Sequence, residues 1–444
     1  MPRLLIAAVV ATLTAGLVAQ DSRAASRFDT SSWRRLFDGT SLEGWTTTGG
    51  RYDGGAVWTV EDGVLVGREG PNHAGGLLYT TTSHASFAIA MDVSLDDPFD
   101  SGVFVRMTPK AKGAQVTLDA VEGGEIGGIY SDGWIKHNPD GKSKWRHNDW
   151  NRVEVRCTGN PMVIESWLNG APLSTHRFPA DATGFADTGL IGIQVHGNRN
   201  DPPGKRARFR NLRMVDLPVF DTAAFSIDDA GNLTPNDRGV ADGWRPLING
   251  KTLDGWKITG GRESSIQVKD GCLVVAGAGD GDIRTSELFR DFEFSVDWRI
   301  ARMANSGIFL RADPAGGNPA FSGCELQILD DANWEAVTKS KLKPWQFTGG
   351  LYGSAAPSDR NAVRGVGYWN TYRIKFVGTK LDVELNGVAI HKDVDTSIVP
   401  IESEGAKPFL ERAKSGFIGL QRHSPAEAGG GETLRFRNLF VRPR

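Results

Sequence analysis

Three cysteines in 444 residues are too few to build a disulfide framework. A formal net charge of −2 gives no general attraction to nucleic acid or to an anionic membrane surface. After residue 18 no apolar run is long enough to span a bilayer. Long helical periods are absent. No His-x-His or His-x-x-x-His pair announces a metal centre. A dinucleotide fingerprint is also missing, because glycine-rich stretches such as Gly277-Ala278-Gly279-Asp280-Gly281 lead into no helical pattern.

What is present begins with a targeting segment. Met1-Pro2-Arg3 is a short basic start, residues 4–18 are apolar or small, and Leu17-Val18-Ala19 offers a small-residue cleavage site. Cleavage after Ala25 is a second option. Residues 1–25 therefore read as a signal peptide, with a retained anchor as the other reading. A periplasmic or secreted protein without a membrane span is expected after cleavage.

The remaining chain is written twice. Leu36-Phe37-Asp38-Gly39-Thr40-Ser41-Leu42-Glu43-Gly44-Trp45 returns as Leu247-Ile248-Asn249-Gly250-Lys251-Thr252-Leu253-Asp254-Gly255-Trp256. Asp100-Ser101-Gly102-Val103-Phe104-Val105-Arg106 returns as Asn305-Ser306-Gly307-Ile308-Phe309-Leu310-Arg311. Gly127-Gly128-Ile129-Tyr130 answers Gly349-Gly350-Leu351-Tyr352, and Phe209-Arg210-Asn211 answers Phe436-Arg437-Asn438. The spacing sets two domains, at 33–217 and 244–444, with 218–243 as an acid-leaning linker.

Fold class follows from periodicity. Phe292-Glu293-Phe294-Ser295-Val296-Asp297-Trp298 alternates with period two, as half-buried antiparallel strands do. Asn169-Gly170 and Asn386-Gly387 each stand between two such runs, the signature of a type I′ hairpin. Many short strands with glycine turns predict an all-β chain of two tandem jelly-roll sandwiches. Cys157, Cys272 and Cys324 align with Phe376, Val64 and Ala114 of the other half, so buried thiols are expected.

The ordered series Leu-Phe-Asp-Gly…Gly-Trp, Ser-Gly-Ile-Phe-Leu-Arg, Glu325-Leu326-Gln327-Ile328-Leu329-Asp330, Trp-Asn, Leu-Asn-Gly, Gln-x-His and Phe-Arg-Asn resembles the 3-keto-disaccharide hydrolase family, also described as 3-keto-glucoside lyases and hydratases. The resemblance spans both halves. It implies a concanavalin-like jelly roll and chemistry on oxidised sugars, so a carbohydrate is the expected partner.

Strand parity sorts the polar motifs. Glu325 and Gln327 share one face, Gln421 and His423 share another, and Arg311 lies opposite Ile308 and Leu310. If these strands are neighbours, one sheet face gathers Arg311, Glu325, Gln327, Gln421 and His423. Arg106, Tyr130, Gln194 and His196 hold the matching positions of the first half, but Gln115-Val116-Thr117-Leu118-Asp119 retains no glutamate there. Catalysis is therefore expected in the second half.

The resemblance implies a C3 ketone that acidifies the C2 hydrogen, β-elimination at C1, then hydration. His423, Glu325 or Asp330 is the candidate base, Arg311 or a divalent cation the enolate stabiliser, and Tyr352 the donor to the leaving group. Glu325, Asp330 and His423 are the candidate cation ligands. Trp134, Trp145, Trp334 and Trp345 fall in variable loops near the groove and are expected to contact substrate. Trp45, Trp58 and Trp256 read as core, and His73, His84, His137 and His147, without repeat partners, as surface. Two other functions fit the same sequence: a glycan-binding protein without catalysis, and a retaining glucanase-like glycosidase using Glu325 and Asp330.

Overall fold

The computed structural model describes residues 25–197, 204–260, 266–276, 280–423 and 432–444. Residues 1–24, on which the expected signal peptide falls, lie outside the described residues. Each half of the remaining chain is a jelly-roll sandwich of two antiparallel sheets.

In the first domain the back sheet runs Ala171–Arg177, Val163–Leu168, Asn151–Thr158, Phe87–Leu95, Arg206–Asp216, Val64–Arg68, Val57–Glu61. Its front sheet runs Trp134–Lys136, Ile126–Tyr130, Ala114–Asp119, Asp100–Met107, Leu190–Val195, Gly76–Thr80, Trp45–Thr46. The second domain repeats the plan. Its front sheet is Trp256–Thr259, Gly281–Thr285, Phe417–Arg422, Asn305–Ala312 and Cys324–Leu329.

Alternation builds the core. Phe292, Phe294, Val296 and Trp298 of the back sheet face Ile308, Leu310, Leu326, Ile328, Ile418 and Leu420 of the front sheet, all buried. Each such side chain contributes about 1.5–3 kcal/mol of burial. The three cysteines are buried free thiols inside these strands.

The opening motif is a closure device. The Trp45 indole donates to the Leu36 carbonyl at 2.8 Å, and Trp256 donates to Leu247 at 2.6 Å. Asp38 and Asn249 each accept two backbone N–H groups of the intervening turn. Asn169-Gly170 and Asn386-Gly387 both take positive φ, as a type I′ turn requires.

Parity breaks at Arg311. Phe309 pairs with Gly419 while Ala312 pairs with Phe417, so the strand carries one extra residue. Arg311 has φ 53°. This bulge turns its side chain away from the front face and between the sheets. The guanidinium lies 3.6 Å from the Phe376 ring centre. It donates to the carbonyls of Arg290, Gly378 and Phe376 and to Asp291. Arg106 repeats the bulge with φ 52°, donating to Ala85 and Gly159 carbonyls at 2.6 and 2.7 Å. Neither arginine lines the front-sheet face, contrary to the parity expectation.

His84 is likewise not at the surface. It is buried between Thr82 and Asp216, with Nδ1 2.9 Å from the carboxylate. Trp145 is core rather than a loop contact. Residues 218–243 carry a small hairpin, Phe225–Ile227 with Leu233–Pro235, and a short helix. Ile227 packs against clusters belonging to both domains. The hairpin tip accepts from Arg437 and Asn438 at the Ala230 and Gly231 carbonyls.

Replacing Arg311 by Met leaves several inward carbonyls without a donor. The expected loss is about 2–4 kcal/mol of second-domain stability, read as a fall in its urea midpoint. Wild-type stability in that variant would show that the bulge arginine does not hold the sheets together.

Candidate active site

The front sheet of the second domain floors a groove of about 290 Å³, lined by Asn305, Phe309, Glu325, Gln327, Tyr352, Gln421, His423 and Asp282, with Asn318, Pro319 and Ala320 from the start of the short helix Pro319–Ser322 ahead of Cys324–Leu329. Five residues expected from the sequence therefore meet: Glu325, Gln327, Tyr352, Gln421 and His423.

Glu325 is the titratable centre of this groove. It is 2% exposed, and its carboxyl has no hydrogen-bond or ion-pair partner among the described residues. Burial alone raises its pKa to about 8, since a low-dielectric site disfavours the ionised form. The backbone beneath explains how it fits. A Cβ added at Gly307 would lie 2.0 Å from Glu325 Oε1, so only glycine lets the carboxyl cross the neighbouring strand. Gln421 stands beside that position with its Oε1 buried and unpaired, and Gln327 donates to Asn305 at 3.1 Å. Tyr352 is near enough for Glu325 to raise its phenol further, after burial as the main cause. His423 is at the rim, with Nδ1 3.6 Å from Asp280.

The first domain shows what changes when the carboxylate is absent. Register pairs Phe104 with Gln115 as it pairs Phe309 with Glu325, which places Gln115 at the Glu325 position. A Cβ at Gly102 would meet Gln115 Nε2 at the same 2.0 Å. Here the amide is satisfied, donating to Gln194 Oε1 at 2.7 Å. His196 keeps a rim partner, Asp100, at 3.6 Å.

One groove residue, Asp282, escaped the sequence reading together with its partner. Asp282 and Arg284 form a bidentate pair at 2.7 and 2.8 Å, and the guanidinium lies 4.2 Å from the Phe417 ring centre. The corresponding first-domain residues are Leu77 and Tyr79. The shared anchors in Gly76-Leu77-Leu78-Tyr79-Thr80 and Gly281-Asp282-Ile283-Arg284-Thr285 carried the signal, as a charge exchange inside a repeated frame.

Other expected residues lie elsewhere. Asp330 is buried and accepts from the Met303 N–H and the Asn333 amide, so it anchors the turn into the helix Asp331–Thr338 and does not line the groove. Trp334 is on that helix, away from the groove lining. Trp345 is buried beneath Tyr352, ring centres 4.7 Å apart, and acts as a support. Glu325, Asp330 and His423 do not converge. Among the described residues no group of three or more His, Cys, Asp or Glu side chains is placed to hold a metal ion. In the first domain, Tyr130 and Gln194 remain on the front sheet.

The model of the 3-keto-alpha-glucoside-1,2-lyase-like domain matches this chain twice, over residues 32–215 and 243–442. The chain belongs to that family. The 3-keto-disaccharide hydrolase of Bacteroides thetaiotaomicron is 25% identical over 245 residues, covering 46% of this chain and 79% of that protein. A Parabacteroides distasonis structure provisionally named a glycosyl hydrolase is 26% identical, covers 48% of this chain and 98% of its own, and has a TM-score of 0.38. A Bacillus licheniformis β-glucanase is 12% identical, with coverage of 45% and 97% and a TM-score of 0.31. The chain thus carries two family domains whose front-sheet faces differ in their ionisable side chains.

A buried carboxyl held neutral in the fold has a thermodynamic sign. The Glu325 pKa is raised above its unfolded value, so its contribution is complete below about pH 4.5 and is lost as pH rises through about 8. Glu325→Gln is expected to stabilise the second domain by about 2–4 kcal/mol at pH 8. It should also flatten the decline, leaving the smaller one below about pH 6 that Asp331 supplies. Denaturant titrations across this pH range check it; an unchanged slope in the variant would contradict the burial of an unpaired carboxyl.

Proposed function

We propose that the second domain cleaves 3-keto-glycosides, with Glu325 as the base that removes the C2 proton. The observation that carries this reading is the unpaired, buried Glu325 carboxyl lining a groove in a chain of the 3-keto-glucoside lyase-like family. The name of the Bacteroides relative supports the same substrate class.

The chemistry follows from the substrate. A ketone at C3 acidifies the C2 hydrogen, and a carboxylate with a raised pKa is a stronger base than an ordinary one. Glu325 takes the C2 proton, the electron pair forms the C1–C2 double bond, and the C1–O bond breaks. Tyr352, on the same groove wall, gives the departing oxygen its proton. Water then adds across the double bond, and the net reaction is hydrolysis. The Gln421 amide, beside Glu325, supplies a donor for the enolate oxygen. Arg311 and Asp330, occupied in the fold, take no part. The glucanase-like alternative loses its second carboxyl with Asp330, and Asp282 is already neutralised by Arg284.

Glu325→Gln is expected to lower turnover of a 3-keto-glucoside by at least about a thousandfold, by analogy with removal of a principal catalytic group. His423→Ala, at the rim, is expected to cost less. For the wild type, kcat/KM should rise with pH toward a plateau above about 8, because the base must be ionised. Full turnover in Glu325→Gln, or a profile falling over this range, would remove Glu325 from the base role.

A further inference from the structure

We propose that the front face of the first domain is a binding site for a neutral oligosaccharide, with Trp134 as its stacking platform and Tyr130 beside it. The choice of a sugar ligand rests on the reading of the chain as acting on glycosides; the site itself rests on separate geometry.

Trp134 and Tyr130 are 40% and 36% exposed. Among the described residues they are the one pair of exposed large apolar side chains in ring contact, with centres 5.4 Å apart at 84°. They stand on the paired strands Ile126–Tyr130 and Trp134–Lys136 at the edge of the front sheet. Tyr130 occupies the repeat position of Tyr352, a groove residue of the second domain. Gly128 makes the seat, because a Cβ there would lie 2.5 Å from the indole. The indole therefore rests directly on the strand backbone.

The groups around these rings are polar and fixed. The His137 ring stacks on one side of the indole, 4.7 Å away and inclined at 32°, and is bonded to Glu125 at 2.8 Å. Asp132 accepts from Arg51 at 3.1 Å and from the Tyr52 hydroxyl at 3.2 Å. The part-exposed Trp134 and Tyr130 rings, bordered by oriented hydrogen-bonding groups, suit a sugar, which presents C–H faces and equatorial hydroxyls. Two rings are far smaller than the roughly 800 Å² that each partner buries in a protein interface.

The catalytic base is missing from this face, where Gln115 replaces Glu325. Leu77 and Tyr79 replace the charged pair Asp282 and Arg284. Residues 49–53 cross the face, with the Tyr52 N–H donating to the Tyr79 hydroxyl. A saccharide docked here stays intact, and the tether to the second domain raises its local substrate concentration.

The test is isothermal titration of the full chain with maltohexaose and cellohexaose. One of them is expected to bind, and Trp134→Ala to weaken that binding at least about tenfold, on the scale of one stacking contact. Tyr368→Ala, which removes another exposed ring, should bind like the wild type. Glu325→Gln should also retain binding. The proposal fails if neither sugar binds, if Trp134→Ala binds as tightly as the wild type, if Tyr368→Ala weakens binding equally, or if Glu325→Gln abolishes it. Retained turnover in Glu325→Gln would instead sink the catalytic reading and leave the binding result standing.

Discussion

An arginine at the point where strand parity fails holds each sandwich together. Arg106 and Arg311 both adopt the left-handed conformation, which costs an ordinary residue on the order of 1 kcal/mol. In return the side chain reaches across the core to carbonyls at strand ends of the opposite sheet. Burial lowers the Arg311 pKa to about 10, still well above neutral, so the guanidinium stays charged and its donors stay directional. The front sheet is thereby fixed against the back sheet just beyond the row where Glu325 crosses Gly307. Every groove residue inherits its position from that register.

On this shared frame the two domains differ by a few side chains. In the second, Asp282, Arg284 and Glu325 bring charge onto the front face; in the first, Leu77, Tyr79 and Gln115 remove it. The glycines under the crossing side chain, Gly307 and Gly102, are retained in both. That retention matters, because a glycine at this point has no use unless something must pass over it. The first domain keeps the passage and fills it with an amide whose hydrogen bonds are made.

Much of the fold was legible because its motifs describe backbone. The Trp45 and Trp256 closures, the Asn-Gly turns and the alternating core strands each depend on local geometry that a repeat displays twice. Site residues on regular strands were legible for the same reason: Glu325, Gln327 and Gln421 follow period two. Arg311 was misplaced because a bulge adds one residue and inverts the face, and the bulge has no glycine to betray it. Asp330 was misplaced because its buried carboxylate is taken up by the Met303 N–H and the Asn333 side-chain amide, partners that its spacing from Glu325 does not reveal. Asp282 and Arg284 were missed because two small replacements inside a short strand carry little weight until register aligns them.

The duplication also explains why an unpaired carboxyl can persist. A buried glutamate with no partner disfavours its own ionised form and so weakens the domain that contains it. Gln115 shows that the same scaffold accepts an amide there and satisfies it through Gln194, so the fold does not need the acid. The retained glutamate is a local choice against stability, of the kind that catalytic positions show. The surrounding devices absorb it: a dense aromatic and aliphatic core, the bulge arginine, and the turn anchored by Asp330. A carboxyl kept neutral at rest and ionised as pH rises is a competent proton acceptor for a carbon acid whose own acidity the neighbouring ketone has already raised.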